Sequence, residues 1–209
     1  GEITINRKRA ETGMQVEPGD VVVVKGKTVV PEEKKVYLAF NKPRGIVCTA
    51  EKREKNNVID YLSYPVRIYP VGRLDKDSEG LLLMTNDGAI VNGIMRARNR
   101  HEKEYQVEVN KETTPEFLKK MASGVPILDT VKRPCRIQKT GERSFTIILT
   151  QGLNRQIRRM CEALGYRVTK LKRVRIMNIH LKDLKTGEYR PLTEKELAEL
   201  KKQIGEEKR

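Results

Sequence analysis

Apolar positions along this chain come in short runs and alternations, broken by glycine, proline and charge, and they predict many short elements. Ile3-Thr4-Ile5 alternates, and residues 21–24, 36–40 and 81–84 are unbroken apolar stretches of strand length. In the body of the chain, strands are expected near residues 46–49, 80–85, 103–109, 133–139, 143–150 and 166–177. Helices are expected near 87–97, 115–122, 154–165 and 193–202. Three helix starts carry capping chemistry: Asp87 before Gly88, Thr114 before Pro115, and Thr193 with Glu196 at capping-box spacing. In the helix at 154–165, Ile157, Met160, Cys161 and Leu164 fall on one face at i, i+3, i+4 and i+7. Arg155 and Arg159 point the opposite way and Arg158 flanks, so one side is buried, with Cys161 in the core, and the other shows arginine.

The strands and helices together make a mixed α/β pattern. The front of the chain differs: the turn Pro18-Gly19-Asp20 and the short strands around it form a piece too small for a core of its own. The charged, turn-like Pro31-Glu32-Glu33-Lys34-Lys35 reads as a linker, dividing residues 1–33 from a main domain at 34–209. No apolar run approaches the roughly 20 residues of a membrane-spanning helix, and a membrane partner is not expected. The tail from Thr193 balances lysines with glutamates, as a solvated terminal helix does.

Charge narrows the possible partners. Among 209 residues, 43 Lys and Arg stand against 28 Asp and Glu, a formal net charge of +15 that points to a polyanion. Hydrophobic residues at 37% and charged ones at 34% suit a globular chain, neither disordered nor membrane-embedded. Cys48, Cys135, Cys161, His101 and His180 fit no metal-ligand spacing and no disulfide framework, and suit a reducing, cytoplasmic setting. The basic residues are densest between 155 and 175, where Arg155, Arg158, Arg159, Arg167, Lys170, Lys172, Arg173 and Arg175 face the single acid Glu162. Like charges at helical spacing repel unless a polyanion or a buried carboxylate relieves them, so this segment is expected to bind phosphate.

One acidic loop stands out against that background. Asp75, Asp77 and Glu79 mimic the opening of a calcium loop, but its twelfth position is Asn86 and no helix precedes it. Gly26-Lys27-Thr28 mimics the end of a phosphate loop, yet Val21 stands where the leading glycine belongs. Neither ligand is expected. What remains is Arg73 two residues before Asp75, on a glycine-flanked loop that feeds an apolar strand. A carboxylate held at a strand entry can be addressed to a cleft, although such a pair taken alone is more often structural.

The stretch Gly72-Arg73-Leu74-Asp75-Lys76-Asp77-Ser78-Glu79-Gly80-Leu81-Leu82-Leu83-Met84-Thr85-Asn86-Asp87-Gly88 resembles the catalytic motif of RsuA-type ribosomal RNA pseudouridine synthases. So do Asn41-Lys42-Pro43-Arg44-Gly45, Lys103-Glu104-Tyr105 and Gly152-Leu153-Asn154-Arg155-Gln156-Ile157-Arg158-Arg159-Met160, in the same order, and the resemblance spans residues 36–197. His101-Glu102-Lys103-Glu104-Tyr105, Gly124-Val125-Pro126-Ile127-Leu128 and Arg175-Ile176-Met177-Asn178 are most similar to the RluF branch, which acts on large-subunit (23S) ribosomal RNA.

The resemblance implies an α+β catalytic fold with a central, mainly antiparallel sheet flanked by helices. It also implies a preceding S4-like RNA-binding module, of which residues 1–33 hold the final strands, as in a trimmed or proteolytic core. Asp75 is then the essential aspartate, Tyr105 the aromatic that stacks on the target base, and Arg158 the basic partner of the Asp75 carboxylate. Arg73 and Leu171 fall at positions of pocket wall and RNA contact, while Arg155, Arg159, Lys172 and Arg173 are expected on the RNA backbone. Ser78 stands where many members have threonine. The implied reaction isomerises a flipped-out uridine of ribosomal RNA to pseudouridine without metal or other cofactor. Transfer RNA is left open as a second substrate, and a monomer is the simpler expectation. A non-catalytic RNA-binding or ribosome-assembly protein is the alternative, for which the +15 charge alone suffices.

Overall fold

The computed structural model describes residues 2–17, 19–29, 34–96, 100–127, 133–153 and 155–205. Pro18 of the expected turn, Pro31 to Glu33 of the linker, Leu128 and Asn154 of the family motifs, and the end of the tail lie outside these residues. The chain divides into two units, Gly1–Lys34 and Lys35–Arg209.

In the first unit, β1 (Ile3–Ile5), β2 (Lys8–Arg9), β3 (Val22–Val24) and β4 (Lys27–Val29) form an antiparallel sheet in the order β2-β1-β3-β4. Asn6, in a left-handed turn, ties it together: its Nδ2 donates to Asp20 Oδ1 at 2.8 Å and its Oδ1 accepts from the Val21 amide at 2.9 Å. Ile5 is the one buried residue among those described in this unit.

The second unit runs β5 (Tyr37–Lys42), α1 (Val58–Leu62), β6 (Tyr69–Val71), β7 (Glu79–Thr85), α2 (Gly88–Arg96), β8 (Lys103–Val109), α3 (Pro115–Ser123), β9 (Arg136–Gly141), β10 (Ser144–Leu149), α4 (Gln156–Ala163), β11 (Val168–Ile176), β12 (Ile179–His180), β13 (Tyr189–Pro191) and α5 (Glu194–Gly205). Its strands form one sheet in the order β13-β5-β7-β11-β8-β10-β9, with β12 on β11 and β6 on β7. The pairings are antiparallel except one, β7 with β11, where Lys172 lies opposite Glu79 and Arg173 opposite Gly80. This is the α+β fold that the motifs imply. The strand expected at 46–49 reduces to a single bridge from Val47 to Asn57.

Strand alternation sorts the core. Leu38, Phe40, Leu82 and Met84 pack under α1 on one face, while Ala39, Leu81 and Leu83 meet Ile90 and Ile94 of α2 and Leu200 of α5 on the other. Along β8, β10 and β11, Val107, Val109, Phe145, Ile147 and Leu171 pack beneath Phe117 and Met121 of α3 and Ile157, Met160 and Cys161 of α4. The start of α4 departs from the sequence pattern. Arg155 is not helical but is the left-handed N-cap residue (φ 50°, ψ 36°), so it turns toward a neighbouring loop, and Arg158 is buried at 7% exposure rather than flanking.

The second edge of β7 is shared. β11 pairs with its beginning, Glu79 and Gly80, and β6 pairs with its end, Leu83 to Thr85. Between these pairings the sheet parts, and the segment from Gly72 to Ser78, which joins β6 to β7, sits at that gap. Gly80 makes the parallel junction possible: its φ is +108°, and a Cβ there would stand 2.2 Å from the Arg173 carbonyl oxygen. Gly80→Ala is expected to lower stability by more than about 2 kcal/mol in chemical denaturation, because backbone atoms of both strands must give way.

At the far end of the sheet, Thr193 and Glu196 form a reciprocal capping box, with Thr193 N to Glu196 Oε1 at 2.9 Å and Glu196 N to Thr193 Oγ1 at 3.1 Å. Glu196 also accepts from Arg190 at 2.7 and 3.0 Å, and chiefly that pairing holds its carboxyl down at about 2. A lowered folded-state pKa stabilises above the unfolded value and is lost as pH falls toward the folded one. Glu196→Gln is therefore expected to lower the thermal midpoint at pH 7, and the gap to the native chain to close as pH drops toward 2.

Candidate active site

From Arg73 to Asp77, five successive carbonyl oxygens each accept a hydrogen bond from a different donor. Arg73 O takes Arg173 Nη1 at 3.3 Å, Leu74 O takes Cys48 Sγ at 3.2 Å, and Asp75 O takes the Ser78 amide at 3.0 Å. Lys76 O takes the Gly45 amide at 2.7 Å, and Asp77 O takes Arg158 Nη2 at 3.0 Å. A loop whose polar backbone is satisfied this fully has little freedom to move.

The supports are themselves anchored. Lys42 is fully buried, and its Nζ donates to Pro43 O and Ile46 O at 2.8 Å each, shaping the turn that presents Gly45. Burial pulls that ammonium down to about 8, with the carboxylates of Asp75, Asp77 and Glu79 opposing the shift. Arg173, 5% exposed, adds a bond from Nε to Leu81 O at 2.8 Å, so it braces the loop and the strand that leaves it. Arg158 adds one to Ser78 Oγ at 3.1 Å, a contact that threonine would also supply. Burial lowers the Arg158 pKa, with Asp77 acting against the shift.

Asp75 opens into a cavity of about 340 Å³. Arg73, Leu74, Asp75 and Ser78 of the loop line it, with Tyr105 of β8, Arg155, and Leu171 and Arg173 of β11; Met95, Ile176 and Met177 line it too. Tyr105 is opposite Arg173 on β11 and opposite Ile147 on β10, half-buried against the core under α3 and α4. Its ring therefore has an apolar backing and shares the cavity with a carboxylate.

The expected residues separate into two groups. Asp75, Tyr105, Arg73, Arg155, Leu171 and Arg173 share the cavity, whereas Arg158, Arg159 and Lys172 are not among the residues that line it. Lys172 lies beside Lys170, Gln106 and Glu108 in a shallow groove on the other face of the sheet, since successive residues of β11 point to opposite sides. The cation that reaches Asp75 is Arg155, with Nη1 at 3.5 Å from Oδ2; Arg158 Nη1 instead lies 3.6 Å from Asp77 Oδ2. Arg158 still contributes its charge to Asp75 at longer range.

Asp77 was not anticipated as part of the site. It binds Arg155 through both oxygens at 2.9 Å, and that pairing holds its carboxyl down at about 2. The excess of arginines over acids between 155 and 175 calls for a relieving charge, but nothing in the linear sequence says that Asp77 supplies it. Glu79, the third acid of the apparent calcium loop, lies 3.8 Å from Lys170. The three acids thus answer basic residues rather than sharing one ion.

Comparison with known proteins shows the family. Residues 36–163 match the model of the RNA pseudouridylate synthase family. The dual-specificity RNA pseudouridine synthase RluF of Escherichia coli K12 is 52% identical over 206 residues, covering 98% of this chain and 71% of that protein. Ribosomal large subunit pseudouridine synthase B of Bacillus subtilis is 35% identical over 210 residues, covering 96% and 86%. A crystal structure of a pseudouridylate synthase superposes with a TM-score of 0.74 at 28% identity, covering 95% of this chain and 88% of that one. With its mainly antiparallel sheet, its aspartate loop and a matching family model over more than half its length, this chain belongs to the RNA pseudouridine synthases, enzymes that isomerise uridine within RNA.

Proposed function

We propose that this protein converts a specific uridine of large-subunit (23S) ribosomal RNA to pseudouridine, with Asp75 as the catalytic carboxylate. The observation that carries the reading is the shared cavity of Asp75 and Tyr105, on a loop whose backbone is held at five consecutive carbonyls. The reaction breaks the bond from ribose C1′ to uracil N1, turns the base and joins C1′ to C5. The proton on C5 leaves to solvent and N1 regains one, so the product is an isomer and no electrons are exchanged. Whether it attacks C1′ or removes a ribose proton, the carboxylate must be ionised and open to the sugar.

A stacked uridine cannot present its sugar to this cavity, so it must leave the helix at a cost of a few kcal/mol. Stacking on Tyr105 returns about 1–3 kcal/mol of that. Leu171 supplies an apolar wall, and Arg173 acts by holding the loop rather than by meeting the RNA backbone. Arg73 lies at the cavity surface, whereas Lys172 lies on the other face of the sheet. Arg155 meets RNA with its charge already matched by two carboxylates. The first unit fits the end of an S4-like module, and the cysteines Cys48, Cys135 and Cys161, free in the structure, fit the reducing cytoplasm. Among the described residues, no helix is long and apolar enough to cross a membrane.

Two measurements test the reading. Tritium release from a 23S ribosomal RNA transcript labelled at uridine C5 is expected for the native chain and to fall to background in Asp75→Ala and Asp75→Asn, with RNA binding retained. Turnover by either variant would show that Asp75 is not the catalytic group. A labelled transfer RNA transcript in the same assay reports whether the substrate range extends beyond the ribosome. Arg73→Ala is expected to weaken binding across RNA sequences and to flatten the slope of log affinity against log salt by about one.

A further inference from the structure

Two carboxylates share the Arg155 guanidinium unequally. Nη1 donates to Asp77 Oδ1 and Nη2 to Asp77 Oδ2 at 2.9 Å each, whereas Asp75 Oδ2 stands 3.5 Å from Nη1. The nearer pair has the two-pronged geometry that makes arginine–carboxylate contacts strong and directional. Asp75 and Arg155 line the cavity; Asp77 does not. The left-handed backbone at Arg155 is one that an L residue adopts only when its surroundings compel it, so the side chain starts from a fixed place.

We propose that Asp77 is a positioning residue whose role is to keep Arg155 from closing on Asp75. By taking both prongs of the guanidinium, Asp77 leaves the Asp75 carboxylate open to the ribose, with a cation near enough to orient it. Without the Asp77 charge, Asp75 becomes the nearest carboxylate, and the group that must meet the nucleotide is sealed in an ion pair. A freed arginine is then worse than no arginine. Arg158 keeps its bonds to Asp77 O and Ser78 Oγ in Asp77→Asn, since neither uses the Asp77 side chain, and loses only its longer 3.6 Å ion pair to Asp77 Oδ2.

The proposal rests on Asp75 carrying the reaction, so Asp75→Asn is assayed alongside the other variants. Tritium release from the labelled 23S transcript and RNA affinity by filter binding are measured for the full chain, Asp77→Asn, Arg155→Met and the double variant. Asp77→Asn is expected to lower kcat about 100-fold, the scale of a displaced reacting group, while KM and RNA affinity stay near the native values. Arg155→Met is expected to lose less, and the double variant to be no slower than Arg155→Met, so that removing the arginine rescues Asp77→Asn. Native turnover in Asp77→Asn, or losses that multiply in the double variant, would overturn the proposal. If Asp77→Asn fails to fold, Arg155→Lys against Arg155→Met gives the same decision: a cation that cannot form the two-pronged contact is expected to slow the reaction more than no cation, and the reverse order overturns it. Turnover by Asp75→Asn would sink the catalytic reading itself. An inert Asp75→Asn beside a native Asp77→Asn would sink the positioning proposal alone.

Discussion

Satisfaction of the backbone from Arg73 to Asp77 is the constraint on which the rest of the site depends. A loop between two strands would ordinarily offer its carbonyls to water and move with them. Here the donors come from Arg173 on β11, Cys48 beyond the Gly45 turn, Ser78 within the loop, Gly45 after β5 and Arg158 on α4. Elements far apart in sequence therefore meet at five residues, and the backbone that carries Asp75 is held from several of them. Each donor that is a charged side chain is buried, which makes the bonds stronger and a misfit more costly.

The same donors explain how a strongly basic protein can keep acids in its candidate active site. Lys42, Arg158 and Arg173 are all buried, and each is matched in the first instance by backbone carbonyls. Arg158 and Lys42 do not line the cavity, whereas Arg173 does. Arg155 is the exception, being 38% exposed at the side chain and tied to carboxylates instead. Two kinds of positive charge are thus distinguished: an interior set matched by backbone carbonyls, and a surface arginine matched by carboxylates.

Much of this architecture could be read from the residues, and the failures have physical causes. The strand at 103–109 and the helix at 115–122 follow directly from alternation and from a threonine before proline, and they appear as β8 and α3. β6, β13 and the five-residue α1 are too short to carry a period; α1 is set instead by Asn57, whose side chain accepts from the Asp60 amide at 2.8 Å. Arg155 was placed on the wrong side of its helix because periodicity assumes helical angles at the first residue, and a left-handed cap rotates it away. Lys172 was grouped with Arg173 because charge density has no direction, whereas a strand sends neighbours to opposite faces. Asp75 and Tyr105 were legible through their motifs, but the support given by Lys42, Cys48 and Asp77 needed the tertiary fold, since nothing in linear spacing joins residues 42, 48, 77 and 155.

A rigid site has a consequence for target choice. If the loop cannot move to meet the substrate, the RNA must supply the distortion. Extruding a paired uridine costs a few kcal/mol, and the stacking contact proposed for Tyr105 would return only part of it. Backbone contacts at arginine and lysine add affinity for every RNA alike, so they cannot close that difference for one uridine over another. The remaining discrimination falls on how readily each uridine leaves its neighbours. Bulged, mismatched or loop positions are favoured before any base edge is read, and selectivity comes from the shape of the RNA, with a fixed cavity as the gauge.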